Sequence, residues 1–381
     1  MSTIVSPDEL RKLMSDGWSW RGSGGSGYKL KDFSYFCQDG RRIEDVLKLD
    51  LSEGVDFSYM CAGLTIQQAN SLTESDVFEN TGKGEKFDYM FSGVNTNEGN
   101  SLHFLSVGYP YWPINTSNGR SFEGMFKNCN RYDGGDLDLS NGTNFKDMYN
   151  GCSDMGDVNT GAAGASELSD LRNGINFNGM FRGCSNIWYV GYINLANGED
   201  LGSMFSGCTS LRSMFTDPGI KNAKIMGSMF YNCSNLKVSP ELDAPSCTNF
   251  YNIFRGCTAL TTVPKMNLNS ATNVNTMFYG CTNLTNLYVY NVRKAITIGS
   301  GTTYGHLLTV DSLVHTIKEL CTVTTATKLT MGEANLEKIS GLYCRVLDDT
   351  TEKIEMELCE STDEGAITLA DYALLKNWTF A

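Results

Sequence analysis

The chain has 381 residues, of which 41% are hydrophobic and 19% charged, and its formal net charge is −13. This composition excludes a disordered chain. The acidic balance, with no cluster of Lys and Arg, argues against a nucleic-acid partner and against binding to a bare anionic membrane surface. No apolar run approaches the roughly 20 residues that a transmembrane helix requires, so membrane insertion is not expected.

The first predicted element is an N-terminal helical cap within residues 1–27. Ser6 is suited to the N-cap position and Pro7 to the first helical position, and an apolar stripe follows at helical spacing. A Gly/Ser hinge over residues 22–27 ends this segment. If Met1 is the natural start, no secretory leader is expected, because no apolar stretch follows a charged segment there.

A repeated phrase dominates residues 28–299: an apolar residue, two variable residues, Met-Phe, two more residues, then Cys. The full copies fill the Met, Phe and Cys slots with Met125-Phe126-Cys129, Met148-Tyr149-Cys152, Met180-Phe181-Cys184, Met204-Phe205-Cys208, Met229-Phe230-Cys233, Ile253-Phe254-Cys257 and Met277-Phe278-Cys281. Partial copies at Phe33, Phe57 and Phe87 bring the total to ten units. We interpret the slot residues as a structural core, because no single coil can bury its own apolar face.

The period of this phrase predicts the fold class. From Met180 onward the methionine slot recurs after 24, 25, 24 and 24 residues, within the range of roughly 20–29 for leucine-rich repeats. We therefore predict an α/β repeat, a leucine-rich-repeat solenoid of about ten coils. Each coil is expected to have one short strand and a tight turn or single-turn helix. Asn144, Asn176, Asn249 and Asn273 are expected to bond turn backbone groups.

The Met-Phe-x-x-Cys-x-x-Leu phrase resembles the BspA-like leucine-rich repeat of bacterial surface and bacteriophage proteins, over about residues 33–292. The resemblance implies a binding or adhesive protein without catalytic residues, so it supplies no active site and no cofactor. The end of the chain, in turn, resembles the end segments that follow such repeats in phage tail-associated and prophage proteins, except over Leu342–Gly365, which departs from them.

Two aromatic clusters are candidate ligand-binding sites. Three units are longer than the others, and solenoid insertions often map to the binding face. One insertion carries Tyr109, Tyr111 and Trp112, and a second cluster consists of Trp188, Tyr189 and Tyr192. Exposed aromatic side chains anchor sugars and protein partners alike. The alternative is that the first loop folds back and covers the solenoid.

The C-terminal region, residues 300–381, is predicted to be an α/β cap. Its predicted elements are a helix capped by Thr309, a strand at Lys328–Met331, a short helix at Asn335–Ile339, a helix at Thr368–Lys376 and a strand at Trp378–Phe380. An acidic β-hairpin is inserted near residues 342–365. These elements would close the solenoid against further stacking.

The cysteines, the histidines and the acidic pairs each allow a chemical and a structural interpretation. The 13 cysteines lack short CxxC pairs and Cys/His clusters, so no metal is expected. Buried free thiols are favoured, with disulfides left open. His103, His306 and His315 form no Ser/His/Asp grouping. The acidic pairs Asp136/Asp138 and Asp348/Asp349 are interpreted as solvated surface rather than as a glycosidase.

Three functional hypotheses remain at this point. The first is a non-enzymatic bacteriophage virion protein (tail, fibre or decoration), assembled in the host cytoplasm. It would bind a protein or glycan on the bacterial surface and other virion proteins through its N-terminal cap. The second is a secreted or cell-surface adhesin of a bacterium. The third is a hydrolase that uses surface acids. A homo-oligomer is an open alternative.

Overall fold

A computed structural model describes residues 33–34, 51–65, 68, 78, 80–94, 114–129, 137–158, 170–215, 218–300, 304–305, 307–348 and 354–381. The predicted N-terminal cap and hinge, residues 1–27, lie outside this part. The chain divides into two compact units, Met1–Leu195 (unit 1) and Ala196–Ala381 (unit 2). In the described part, no helix is both long enough and apolar enough to span a membrane.

Successive repeats of unit 1 lie side by side in parallel. Parallel bridges join Asp56 to Lys86, Lys86 to Ser121, Ser121 to Asn144, and Asn144 to Asn176. A short strand, β1, covers Tyr189–Val190. Each bridge falls just before the phrase that contains the methionine slot, so equivalent residues of neighbouring repeats are in register.

Two columns of aromatic rings run through unit 1, and all of their rings are buried. The first column stacks Phe33, Phe57, Phe87, Phe122, Phe145 and Phe177 at centroid distances of 5.4–5.7 Å. The second stacks Phe91, Phe126, Tyr149 and Phe181 at 5.6–5.9 Å. Backbones of neighbouring repeats that are spaced like strands lie about 4.8 Å apart, so a longer centroid distance means that each ring is shifted sideways from the next. Aromatic pairs favour this offset stacking.

The segment from the first apolar residue to the cysteine slot is a series of tight turns. Gly124 N–H donates to the carbonyl of Lys146 in the next repeat at 2.8 Å, whereas Met125 N–H donates back to Phe122 at 3.2 Å. The equivalent pairs in unit 2 are Ser228 to Tyr251 at 2.7 Å and Met229 to Met226 at 3.1 Å. Of the two predicted alternatives, tight turn and single-turn helix, the tight turn is the one observed. Alternate amides thus bond within the turn and to the next repeat.

Two left-handed residues shape every described turn. One precedes the methionine slot, with φ between 55° and 66°: Tyr59, Tyr89, Gly124, Asp147, Gly179, Ser203, Ser228, Asn252 and Thr276. The other precedes the cysteine slot and is always Gly or Asn, as in Gly151 and Asn232. Gly and Asn adopt this conformation at low cost. Before the methionine slot the left-handed residue is in some turns one less suited to it, as with Tyr59, Tyr89 and Thr276, and there the inter-repeat hydrogen bonds impose the conformation.

Unit 2 contains the longer strands. Its repeats carry β2 (Ser213–Met214), β3 (Thr262–Asn267) and β4 (Asn286–Tyr290), and β3 and β4 pair in parallel. Each of these three strands lies in a different repeat, where one short strand was expected. A third ring column, Phe205, Phe230, Phe254 and Phe278, is stacked at 5.5–6.1 Å. All four rings are buried.

The remainder of unit 2 contains three helices and two small sheets within its described residues. In chain order the elements are β5 (Ile296–Thr297), α1 (Val310–Lys318), β6 (Thr327–Thr330), α2 (Glu333–Ile339), β7 (Tyr343–Asp348), β8 (Glu355–Cys359), β9 (Ile367–Thr368), α3 (Leu369–Leu375) and β10 (Trp378–Phe380). One sheet is parallel, in the order β10-β6-β5, and the other is antiparallel, in the order β8-β7-β9. Buried Trp378 donates its indole N–H to the carbonyl of Cys321 at 2.9 Å, which ties the last strand to the chain after α1.

Candidate binding surfaces

The repeat cysteines act as hydrogen-bond donors inside the protein. Cys129 Sγ lies 3.0 Å from the carbonyl oxygen of Phe91, and Cys152 Sγ lies 3.1 Å from that of Phe126. Cys184, Cys233, Cys257 and Cys281 make the same contact with the preceding repeat at 3.0–3.1 Å. None of the described cysteines forms a disulfide, and all but Cys359 are buried. The thiol therefore links one turn to the next.

Burial also changes the acidity of these thiols. It raises the pKa of Cys129 and of Cys257 to about 12, and it raises that of Cys152 well above its ordinary value of 9.0. The thiolate is the reactive and metal-binding form of cysteine, so these thiols are unsuited to nucleophilic or metal chemistry near neutral pH. Within the described residues, no group of three or more His, Cys, Asp or Glu side chains is placed to hold a metal ion.

The recurring asparagines cap the turns, as expected. Asn176 Oδ1 accepts the N–H of Asn178 at 3.0 Å, and Asn249 Oδ1 accepts that of Tyr251 at 3.0 Å. Asn144 and Asn273 make the same bond to the residue two positions on. Asp138, one member of a candidate acidic pair, accepts both the N–H and the hydroxyl of Ser140, so it too serves a turn. Its neighbour Asp136 lies outside the described residues.

The predicted aromatic residues fall into two groups. Tyr109, Tyr111 and Trp112 lie outside the described residues. In the second cluster, Trp188 is 52% exposed and Tyr192 65% exposed, whereas Tyr189 is half-buried. The ring centroids of Trp188 and Tyr189 are 6.3 Å apart and tilted. The structure thus places two large aromatic side chains of unit 1 on its surface.

A tyrosine–carboxylate network lies on the turns of unit 1. Tyr59 and Tyr89 stack at 4.8 Å, and Tyr89 donates its hydroxyl proton to Glu123 at 3.0 Å. Lys146 also donates to Glu123, at 2.8 Å. Partial burial acts to raise the pKa of Glu123, but the hydrogen bonds from Lys146, Asn144 and Tyr89 lower it overall. Glu123 is therefore held as a carboxylate by its neighbours, which favours a structural role over an acid–base one.

The best-defined surface cluster of unit 2 joins β4 to α1. Tyr288 and Tyr290 contact the His315 ring edge-to-face, at centroid distances of 5.2 and 4.7 Å. His315 Nε2 lies 3.0 Å from the carbonyl oxygen of Val289, and Tyr288 donates its hydroxyl proton to Asp311 at 2.9 Å. The bond to Asp311 raises the pKa of Tyr288 above its ordinary value of 10.0. Both tyrosines are half-buried, with one part of each side chain open to solvent.

A row of polar side chains lies beside this cluster, across neighbouring coils. Asp243 accepts hydrogen bonds from Lys265 at 3.0 Å and from Asn267 at 3.1 Å. Asn291 Nδ2 donates to Asn267 Oδ1 at 3.3 Å, and Glu319 accepts the Asn291 N–H at 3.3 Å. We call Asp243, Lys265, Asn267 and Asn291 the polar row. The bonds from Asn267 and then Lys265 lower the pKa of Asp243.

The repeat region of the chain matches a known protein family. Residues 45–162, 157–262 and 199–301 match one family, described as "Mycoplasma protein of unknown function, DUF285". The matches together span residues 45–301, which is 257 of 381 residues. The chain belongs to the DUF285 family. Three overlapping matches to one family are what a repeat protein gives. No curated protein and no solved structure matches the chain.

The DUF285 matches contain Trp188, Tyr192, Tyr288 and Tyr290 and end before α1, which supplies His315. Sequence reasoning identified the Trp188 cluster but missed the one around Tyr288. A signal was present, because Tyr288 and Tyr290 alternate with Leu287 and Val289, and alternation along a strand puts both tyrosines on one face. The contact with His315 depends on the packing of α1 on β4, which the sequence pattern does not show.

Proposed function

We propose that the chain is a leucine-rich-repeat-type solenoid, of BspA-like kind, that serves as a non-enzymatic binding and adhesion scaffold. The first candidate is a bacteriophage tail, fibre or decoration protein that contacts a protein or glycan on the host surface. The observation that carries the proposal is the exposure of Trp188 and Tyr192 in a unit whose described phenylalanines are buried. Large exposed aromatic side chains are typical anchors of binding interfaces.

Two further observations support a binding scaffold over an enzyme. The recurring slots are occupied by buried side chains, and the cysteine thiols among them bond the neighbouring repeat, as Cys129 does with Phe91. The network carboxylate Glu123 and the turn carboxylate Asp138 are engaged by neighbouring side chains or by turn amides. The described cysteines, which form no disulfide, also fit assembly in a reducing compartment such as the host cytoplasm.

The second candidate is a secreted or cell-surface adhesin of a bacterium. The family description, which names Mycoplasma, favours it. Both candidates require a surface that recognises a bacterial or host partner, and they differ in where the protein resides. Immunogold labelling of purified virions and of intact producer cells separates them. Gold on virions supports the first candidate, and gold on cells without phage supports the second.

The binding proposal is tested with fluorescently labelled full-length chain and intact bacterial cells. We expect saturable binding, weakened about tenfold or more in the double variant Trp188→Ala/Tyr192→Ala, because loss of an aromatic anchor costs about 2 kcal/mol or more. Ile175→Ala is the matched control, since Ile175 is 46% exposed in the same unit but is not aromatic. Equal binding by the double variant, or the absence of saturable binding, contradicts the proposal.

A further inference from the structure

The tyrosine pair on β4 and the polar row beside it have the composition of a saccharide site. We propose that Tyr288, Tyr290 and the polar row bind a neutral oligosaccharide. This inference rests on the proposed function and deepens it by naming a ligand class and a surface on unit 2. It is independent of the Trp188 cluster, which belongs to unit 1.

The two rings form a fixed platform. Strand geometry places Tyr288 and Tyr290 on one face of β4, with a Cα separation of about 7 Å. Leu287 and Val289, which alternate with the tyrosines along the strand, are buried. His315 contacts both rings, and Asp311 holds the Tyr288 hydroxyl. Because these contacts order the side chains before a ligand arrives, little further conformational entropy is lost on binding.

The polar row supplies what sugar hydroxyls require. A hydroxyl both donates and accepts hydrogen bonds, and the row offers a carboxylate, an ammonium and two amides. The strand register pairs Asn267 with Tyr290, so the row lies directly beside the platform. The bonds that Asp243 receives from Lys265 and Asn267 fix these groups in place. Apolar sugar faces would stack on the tyrosines while hydroxyls reach the row.

Charge selects among saccharides. Asp311 accepts the Tyr288 hydroxyl and Glu319 accepts the Asn291 N–H, whereas Asp243 is paired with Lys265. The chain as a whole carries −13. Uronic, sialylated or phosphorylated sugars would meet like charge here, whereas neutral hexoses would not. A protein partner is less suited, because interface centres are usually apolar and fully desolvated, and here polar groups border both rings.

The experiment uses a printed array of neutral hexose oligosaccharides together with uronic, sialylated and phosphorylated counterparts. We expect the full chain to bind neutral members, and Tyr288→Ala and Tyr290→Ala each to weaken that binding about tenfold or more. Tyr251→Ala is the matched control, since Tyr251 is 41% exposed in the same unit and lies outside the cluster. Tyr290→Leu keeps an apolar contact with His315 but removes the aromatic face, so it tests stacking even if the alanine variant unfolds.

Several outcomes would overturn the inference. They are an array without neutral binding, binding restricted to acidic sugars, tyrosine variants that bind as well as the parent chain, and tight binding to a protein only. If cells still bind the chain through Trp188 and Tyr192 while the array stays blank, the saccharide inference fails and the proposed function stands. If neither cells nor array bind, both fail.

Discussion

Gly142 and Phe145 illustrate how closely single residues are fitted within a turn. A Cβ on Gly142 would lie 2.3 Å from the tip of the Phe145 ring. The same clash would arise at Gly54, Gly84, Gly119 and Gly174, each three residues before a stacked phenylalanine. Where alanine takes this position, as in Ala223 and Ala271, the residue three positions on is Met226 or Val274 rather than Phe. Cys247 before Phe250 shows that a larger residue can also take this position, so the close fit of Gly142 is a property of its own turn.

Gly142→Ala is therefore expected to lower the free energy of unfolding by about 1–3 kcal/mol, the usual effect of overpacking. Adding Phe145→Met should recover part of that loss, since the double variant reproduces the Ala223/Met226 pair. Urea denaturation of the parent, both single variants and the double variant measures the coupling between the sites. Strictly additive effects, or a Gly142→Ala chain as stable as the parent, would contradict this explanation.

Single residues also show which backbone conformations can be predicted from the sequence and which cannot. Asn144 and Asn176 were predicted as turn caps from residue type alone, because a short amide bonds its own backbone two residues on. The residue type of Tyr59 and Tyr89 did not indicate that their backbone would be left-handed. Their left-handed backbone follows from hydrogen bonds with the next repeat, as in the 2.8 Å bond from Tyr59 N–H to the Asp88 carbonyl. Local propensity cannot reveal a conformation that a neighbouring coil imposes.

At the scale of elements, locally encoded features were predicted most accurately. The helix capped by Thr309 is α1, and Thr309 accepts the N–H of Ser312 at 3.2 Å. Thr368 likewise caps α3, and the last strand has the predicted bounds. The predicted hairpin is present as β7 and β8. What the sequence did not show is that β9 adds a third strand beside β7, because that pairing joins residues distant in sequence.

The bond network of Asp243 between neighbouring coils gives an element-scale prediction about pH. The lowered pKa of Asp243 means that the folded chain holds this carboxylate ionised at pH values where the unfolded chain has begun to protonate it. The stabilisation is therefore full above the ordinary value of 3.8 and is lost as the pH falls through the lowered pKa. We expect Asp243→Asn to melt below the parent at pH 7, with the difference closing in acid. Melting temperatures from pH 7 to pH 2 measure this.

Glu241→Gln is the matched control, because it makes the same carboxylate-to-amide change on an exposed neighbour. If the Asp243→Asn difference were constant over the whole pH range, the ion pair with Lys265 would not be its source.

At the scale of the whole molecule, the defining property of the described repeats is that each one contacts the repeats directly before and after it. In unit 1, buried Phe122 packs between Phe87 and Phe145 at 5.6 and 5.7 Å. The leucine-rich-repeat class remains a prediction, whereas membership of the DUF285 family is shown over residues 45–301. The period in the sequence indicated which residues recur, but the exposed clusters depend on details of each coil.

Phe122→Ala should cost about 3–5 kcal/mol, as is typical for a large buried aromatic side chain. Since each repeat contacts its neighbours, we expect the loss of protection to begin in the adjoining repeats. Hydrogen exchange followed by mass spectrometry locates it, with the α1–β10 segment as the internal reference. An even loss of protection throughout unit 1 would instead indicate that the unit opens all at once.

The alternating amides of the turns have an evolutionary consequence. Each described turn offers equivalent donors to the next coil and equivalent acceptors to the one before, as Gly124 does with Lys146. An in-frame loss or duplication of one 24-residue period, such as the stretch from Met229 to Asn252, therefore recreates the junction it disturbs. Recombination within the gene can therefore change the number of repeats while each junction between repeats keeps the same hydrogen bonds.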